Sequence, residues 1–294
     1  LSPTHRSQRR LELIHTDVGI INTPSYHGYK YFLLCVDDYS RKCFIQFLKS
    51  KAEAPRAMDE FITLVENQTD QKVKEIRSDR GGELTGDEFN SLCAARGILH
   101  SPTPAHSPES NGCCERWMRT VLQATRCLMI SSELPVSFWA DALACAVHVL
   151  NRCPTSALKG RTPHEKWYGA TPDVKHLRVF GSVAYANQSF KHLRKFNPRS
   201  RKYIFIGYDS GTHAYRLYDP ETKRISIRRD VVFDEHSLGN SLLHPQSITD
   251  NYILLFPQLT DTEPAASTAS IAASISPRLA IPVESNKGLP KRDM

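Results

Sequence analysis

Apolar positions recur in two rhythms along the first half of the chain. Leu11 to Val18 reads as a strand, Tyr29 to Val36 (YKYFLLCV) as a second with both faces apolar, and Cys43 to Leu48 as a third, with Asp37 to Arg41 as a turn. Ala52 to Asn67 shifts to helical spacing at Met58, Phe61, Ile62 and Val65, and Val73 to Ser78 returns to a short strand. A helix over Asp87 to Arg96 stops at Gly97, and the proline-bearing loop Pro102 to Asn111 leads into helices at Gly112 to Ser131 and Pro135 to Asn151. The expected class is α/β, a mixed sheet in βββαβα order flanked by helices.

From Thr155 onward turns, aromatics and short β-type runs take over: Arg178 to Ala186, Tyr203 to Tyr208, Tyr215 to Tyr218, Arg224 to Ile227 and Val231 to Phe233. After Leu238 come six of the eighteen prolines and the Ala/Ser run Ala265 to Ser276, a composition expected to be mostly disordered. The expected organisation is a linker (1–10), a core (11–152), a connector (153–175), a small basic β-rich module (176–238) and a low-complexity tail (239–294).

Composition narrows the partners. The 294 residues allow one large domain or two ordinary ones. The net charge is +7, and the last 56 residues hold four basic against five acidic groups, so residues 1–238 carry about +8. Such a balance favours a polyanion such as nucleic acid. The eight cysteines include no C-x-x-C pair, which argues against a disulfide scaffold or zinc ribbon and for a reducing compartment. The longest apolar stretch, Phe138 to Leu150, contains Asp141 and His148, so no membrane span is expected. The first residue is Leu1 and no secretory signal pattern follows it, as expected of a piece of a longer chain.

Three carboxylates stand where chemistry could use them. Asp17 ends the first strand, Asp79 ends the fourth, and Glu115 lies in the first turn of a helix 36 positions later. In a βββαβ sheet the first strand is central and can lie beside the fourth, so Asp17 and Asp79 come within reach of one cation while the helix brings Glu115 across. Oxygen ligands of this kind suit Mg²⁺, and two such ions could stabilise both the attacking and the leaving oxygen of a phosphodiester displacement. Taken one at a time, such residues more often serve as turns and caps, the role assigned to Asp37, Asp38, Glu83 and Asp87. On the helix, Met118, Val121, Leu122, Thr125, Leu128 and Met129 form an apolar arc with Glu115 at its edge and Arg119 and Arg126 alongside. A second basic group, Lys175, Arg178, Lys191, Arg194, Lys195, Arg199, Arg201 and Lys202, has no acidic residue among its members and reads either as a phosphate-neutralising stripe or as a solvated face. His15 and His176 lack Cys/His partners at ligand spacing, which favours packing or DNA contact over metal binding.

The motifs become specific in combination. His15-Thr16-Asp17-Val18, Arg77-Ser78-Asp79-Arg80-Gly81-Gly82-Glu83, then Pro108 with Asn111-Gly112 and Glu115-Arg116, resemble the integrase core of copia-type (Pseudoviridae) retrotransposons. The likeness continues through Leu150-Asn151-Arg152, Trp167-Tyr168-Gly169, His176-Leu177-Arg178-Val179-Phe180-Gly181, Tyr215-Arg216-Leu217-Tyr218-Asp219-Pro220 and Arg229-Asp230-Val231-Val232-Phe233, over roughly residues 8 to 236.

The resemblance implies a ribonuclease-H-like fold and a DDE site at Asp17, Asp79 and Glu115, binding Mg²⁺ or Mn²⁺, two ions in the active complex. It implies attack of a DNA 3′-hydroxyl on a target phosphodiester, with double-stranded DNA (element ends and target) as partner and RNA as a secondary candidate. It further implies a homo-oligomer when active and a place in the nucleus after a cytoplasmic particle stage. Candidate nucleic-acid contacts are Asn111, Arg116, Arg119, Arg126, Lys191, Arg194, Lys195, Arg199, Arg201 and Lys202. The family's upstream zinc module is not within these residues, and no zinc site is expected in them. Ala105-His106-Ser107-Pro108-Glu109-Ser110 departs from the family's usual loop, and Glu109 adds a negative charge where DNA would approach. Two other readings stand beside this one, a non-catalytic DNA-binding relic of the same fold and a ribonuclease H acting on RNA in hybrids.

Overall fold

A run that is apolar on both faces is stable only where both faces of a sheet are covered. That place is taken by the second strand, β2 (Tyr31–Asp37), in a computed structural model that describes residues 6–79, 81–102, 112–187, 200–209 and 211–243. These residues all fall within one unit, Leu1–Pro257. β2 pairs antiparallel with β1 (Leu13–Ile20) on one side and β3 (Cys43–Leu48) on the other. β1 then runs parallel to β4 (Glu75–Ser78), and β4 parallel to β5 (Leu99–Pro102), which gives the order β3-β2-β1-β4-β5 with β1 central.

Helix α1 (Ala54–Thr69), opened by Pro55, covers one face with Met58, Phe61, Ile62 and Val65, which pack among Ile14, Leu33 and Cys35. Side chains alternate along a strand, so Ile14 on this face sends His15 and Asp17 to the opposite one. There α4 (Gly112–Ser132) lies against β1 and β2, burying Val121, Leu122, Thr125 and Met129 of the expected arc, while α5 (Trp139–Leu150) packs on α4 and β3. Short helices α2 (Gly82–Thr85) and α3 (Asp87–Arg96) fill the crossover from β4 to β5, and α3 ends at Gly97 in the left-handed region, as expected from its position.

The second sheet is antiparallel throughout, in the order β10-β6-β7-β8-β9, from β6 (Ser182–Asn187), β7 (Ser200–Tyr208), β8 (Tyr215–Asp219), β9 (Arg224–Arg228) and β10 (Val231–Leu238). Its core is Ala184, Ala186, Tyr203, Phe205 and Leu217, edged by Tyr208, Tyr215 and Phe233. It rests on α5. Arg216 donates to the buried Asp141 at 2.9 Å, and the Tyr26 ring lies against both Phe138 and Tyr218. Gly181 is required at this seam: its φ is +81°, and a Cβ there would stand 2.3 Å from Ser132 Cβ.

Several expectations need correction. The core sheet has a fifth strand, β5, absent from the βββαβα reading; it is a four-residue edge strand without a fully buried residue, so it carries no hydrophobic alternation. The connector contains a helix, α6 (Pro163–Tyr168), which Thr162 caps, accepting from Glu165 N at 3.0 Å, and which buries Trp167 against Phe44. Residues 178–181 are not strand; the left-handed turn at Gly181 delays β6 to Ser182. The first residues of the expected tail, Gly239–Leu242, form a 3-10 turn with Gly239 buried against Ile204. Residues 244–294 and the loop 103–111, including Asn111, lie outside the described residues. Among the described residues no helix is long and apolar enough to cross a membrane, and all eight cysteines are free.

Candidate active site

The parallel pairing of β1 with β4 sets the geometry. Thr16 and Ser78 are Cα partners, so Asp17, the next residue on β1, and Asp79, the residue just past the end of β4, emerge side by side. Ligands of open α/β sheets favour this carboxyl end of parallel strands. Asp17 is half-buried and its Oδ1 accepts from the Val18 N–H at 2.7 Å, while the exposed Asp79 carboxylate accepts from Gly81 N at 3.1 Å. Glu115 projects from the first turn of α4 and is exposed.

Electrostatics tie the three together. Burial, followed by the negative charge of Asp79, pushes the Asp17 carboxyl up to about 6, with further repulsion from Glu115 and Glu83. Among the described residues their ligand atoms do not all come within 4.8 Å of one another. A half-open set of mutually repelling carboxylate oxygens fits a hard divalent cation, whose charge would remove the repulsion.

Other side chains reach the site that the sequence did not assign to it. Glu83, taken as a turn residue, opens α2, but its carboxylate is close enough to raise Asp17 and pairs with Lys51 at 2.8 Å. On the flank, His15 Nε2 meets Asp38 Oδ1 at 3.1 Å, and Arg41 Nη1 stands 2.7 Å from both Asp38 Oδ1 and Cys113 Sγ. His15, Asp38 and Cys113 offer ligand atoms within 4.8 Å of one another, but the Arg41 guanidinium already supplies the positive charge there. His15 thus has partners 23 and 98 positions away, which ligand-spacing rules could not find.

The candidate nucleic-acid contacts divide. Arg116 and Arg119 are exposed on α4 beyond Glu115, Arg126 is half-buried, and Lys202 is exposed on β7. Arg201 does not stand free, since the fold brings Asp219 to 3.1 Å and Glu221 into hydrogen-bonding contact with its guanidinium. Arg178 similarly has Glu235 at 3.6 Å, so acidic residues distant in sequence neutralise part of the expected stripe. Asn111, Lys191, Arg194, Lys195 and Arg199 lie outside the described residues.

Comparisons with known proteins agree with this architecture. Residues 7–108 match the integrase core domain model, and residues 182–247 match the retroviral polymerase SH3-like domain model. The chain is 35% identical over 260 residues to the retrovirus-related Pol polyprotein from transposon TNT 1-94 of Nicotiana tabacum, covering 88% of this chain and 20% of that protein. It is 33% identical to the retrovirus-related Pol polyprotein from transposon RE1 of Arabidopsis thaliana, covering 79% of this chain and 16% of that protein. The chain therefore spans about a fifth or less of the length of these curated relatives. Among solved structures, the catalytic core domain of BIV integrase is similar at 21% identity over 54% of this chain and 94% of that one, with a TM-score of 0.41. The chain thus carries an integrase core domain followed by a retroviral SH3-like domain, and its homologues are plant retrovirus-related Pol polyproteins from copia-type transposons.

Proposed function

We propose that this chain performs divalent-cation-dependent DNA strand transfer as the integrase segment of such a polyprotein. The observation that carries the reading is the register that sets Asp17 beside Asp79 with Glu115 facing them from α4. Asp17, Asp79 and Glu115 would hold Mg²⁺ or Mn²⁺, two ions in the active complex. When bound, the ions supply Lewis-acid activation of a DNA 3′-hydroxyl and charge stabilisation of the leaving oxygen. The protein's own contribution is positioning. Asp17 sits on the central strand and Asp79 is held by the Gly81 N–H, so the oxygens are fixed before substrate arrives. Asp17 must give up the proton it favours below about pH 6 before it can act as a ligand. Arg116, Arg119 and Arg126 follow Glu115 along α4 and offer phosphate contacts that orient the DNA without reading its sequence.

Double-stranded DNA is the substrate in this reading, engaged by a homo-oligomer in the nucleus after a cytoplasmic particle stage, and the +7 charge supports a polyanionic partner. Glu83 beside Asp79 gives the site an additional carboxylate, a trait of ribonuclease H, but the integrase core match and the Glu115 ligand on a late helix favour strand transfer over that second reading. A branched DNA substrate and an RNA–DNA hybrid, each incubated with the chain and Mn²⁺, separate the possibilities. Joining of the branched DNA with the hybrid untouched is expected. Cleavage of the hybrid alone would establish the ribonuclease reading, and binding of DNA with no reaction on either substrate would establish the relic.

A further inference from the structure

Gly81 lies between two carboxylates. A Cβ at this position would stand 3.1 Å from Asp79 Oδ1 and 3.0 Å from Glu83 Cδ, so these two carboxyl groups are within about 6 Å of each other. Glu83 is mostly buried at its side chain (13% exposed), and its Oε1 accepts from Lys51 Nζ at 2.8 Å. Lys51 comes from the 3-10 turn Lys51–Glu53 after β3, 32 positions away in sequence, and is half-exposed. The Asp79 charge also reaches Lys51, holding its ammonium above the ordinary lysine value after the larger effect of Glu83. Among the described residues, Asp17 thus feels the charges of Asp79, Glu115 and Glu83, and Lys51 feels those of Glu83 and Asp79.

We propose that the Lys51–Glu83 pair is a positioning element of the metal centre: Glu83 adds a fourth negative charge beside Asp79, and Lys51 offsets it from the rim. Together they set how tightly the centre takes a divalent cation. The inference rests on the active-site reading and adds to it two residues with opposite effects. Glu83 draws the cation in, and Lys51 opposes it. A pair that served only to fasten α2 to the turn after β3 would produce no such opposition, because loss of a fastening can only weaken the site.

The test is a calorimetric titration of the full chain with Mn²⁺ at low salt, comparing wild type with Lys51→Gln, Glu83→Gln and Asp79→Asn, each first shown to be folded by its melting profile. A unit charge about 6 Å from a divalent cation in a largely aqueous setting changes affinity by about tenfold, and one about 9 Å away by about fivefold. Lys51→Gln, whose charge stands one contact further out, is expected to bind Mn²⁺ about fivefold more tightly and Glu83→Gln about tenfold more weakly, with both differences shrinking at 0.5 M salt, on the order of the screening expected there. If both variants match wild type while Asp79→Asn loses binding, or if both bind more weakly, the inference is overturned and the active-site reading stands. If wild type does not bind Mn²⁺, or Asp79→Asn binds as well as wild type, the active-site reading falls and takes the inference with it.

Discussion

Asp17 stands beside Asp79 because Thr16 and Ser78, the residues that precede them, are Cα partners on the parallel strands β1 and β4. Two carboxylates so placed destabilise the metal-free fold. The Asp17 carboxyl is raised to about 6, above its usual 3.8, so its favourable contribution is complete below about pH 4 and is lost as pH rises through 6. At pH 7 the pair therefore carries an unrelieved repulsion.

Asp79→Asn is accordingly expected to stabilise the protein in EDTA at pH 7 by about 1 kcal/mol, a rise of roughly 2–4 °C in Tm. At pH 4, where Asp17 is protonated in both proteins, the difference should largely vanish. Thermal melts at the two pH values check this, and a lower Tm for the variant at pH 7 would contradict it.

The seam between α5 and β8 depends on Asp141, which is 4% exposed, with Oδ1 paired to Arg216 and Oδ2 buried without a partner. Burial raises this carboxyl and Arg216 opposes that shift. Arg216→Ala leaves an uncompensated buried acid and is expected to cost about 3 kcal/mol in urea unfolding. The double change Asp141→Leu with Arg216→Met should recover most of that loss, because it removes the stranded charge as well. A double variant no more stable than Arg216→Ala would show that the pair does more than balance charge.

Histidines make the same seam sensitive to acid. His148 Nε2 lies 2.9 Å from His176 Nε2, its ring stacks on Tyr208 at 4.0 Å, and Arg152, His164 and Lys42 add positive charge around it. Burial first, and then Arg152, depress His148 to about 3, so its contribution is present above the unfolded value of 6.5 and is lost as pH falls from there toward 3. His164, depressed to about 4 by burial and Arg152, acts in the same direction. Stability of wild type relative to His148→Phe should fall by about 2 kcal/mol between pH 7 and pH 5. Parallel pH profiles for the two proteins would refute the assignment.

Much of the core was legible because its signals are local. Strand β2 announces burial on both faces, α1 and α4 carry apolar residues at helical spacing, and Gly97 marks the end of α3. Strand β5 left no pattern because an edge strand with Leu99 at 62% exposure has no apolar face to display. The site divides along the same line. Asp79 and Glu115 could be picked out from element ends and motif order, and Asp17 from motif order alone, since β1 does not end at Asp17 as expected but runs on to Ile20. Lys51 with Glu83, and Arg41 with Cys113, are contacts across 32 and 72 positions that exist only after the sheet closes. Arg201 shows the reverse case, a residue free in sequence whose acidic partners arrive from β8 and the turn after it.

The proposed role of Asp17, Asp79 and Glu115 in holding the reacting ions is tested by the rate of branched-DNA joining with Mn²⁺ by wild type, Asp79→Asn and Glu115→Gln. Each variant keeps the side-chain shape and removes the charge that would hold the cation. Wild type is expected to join the DNA and both variants to lose at least about a hundredfold in rate, with DNA binding retained. Joining at near wild-type rates by either variant would contradict that role.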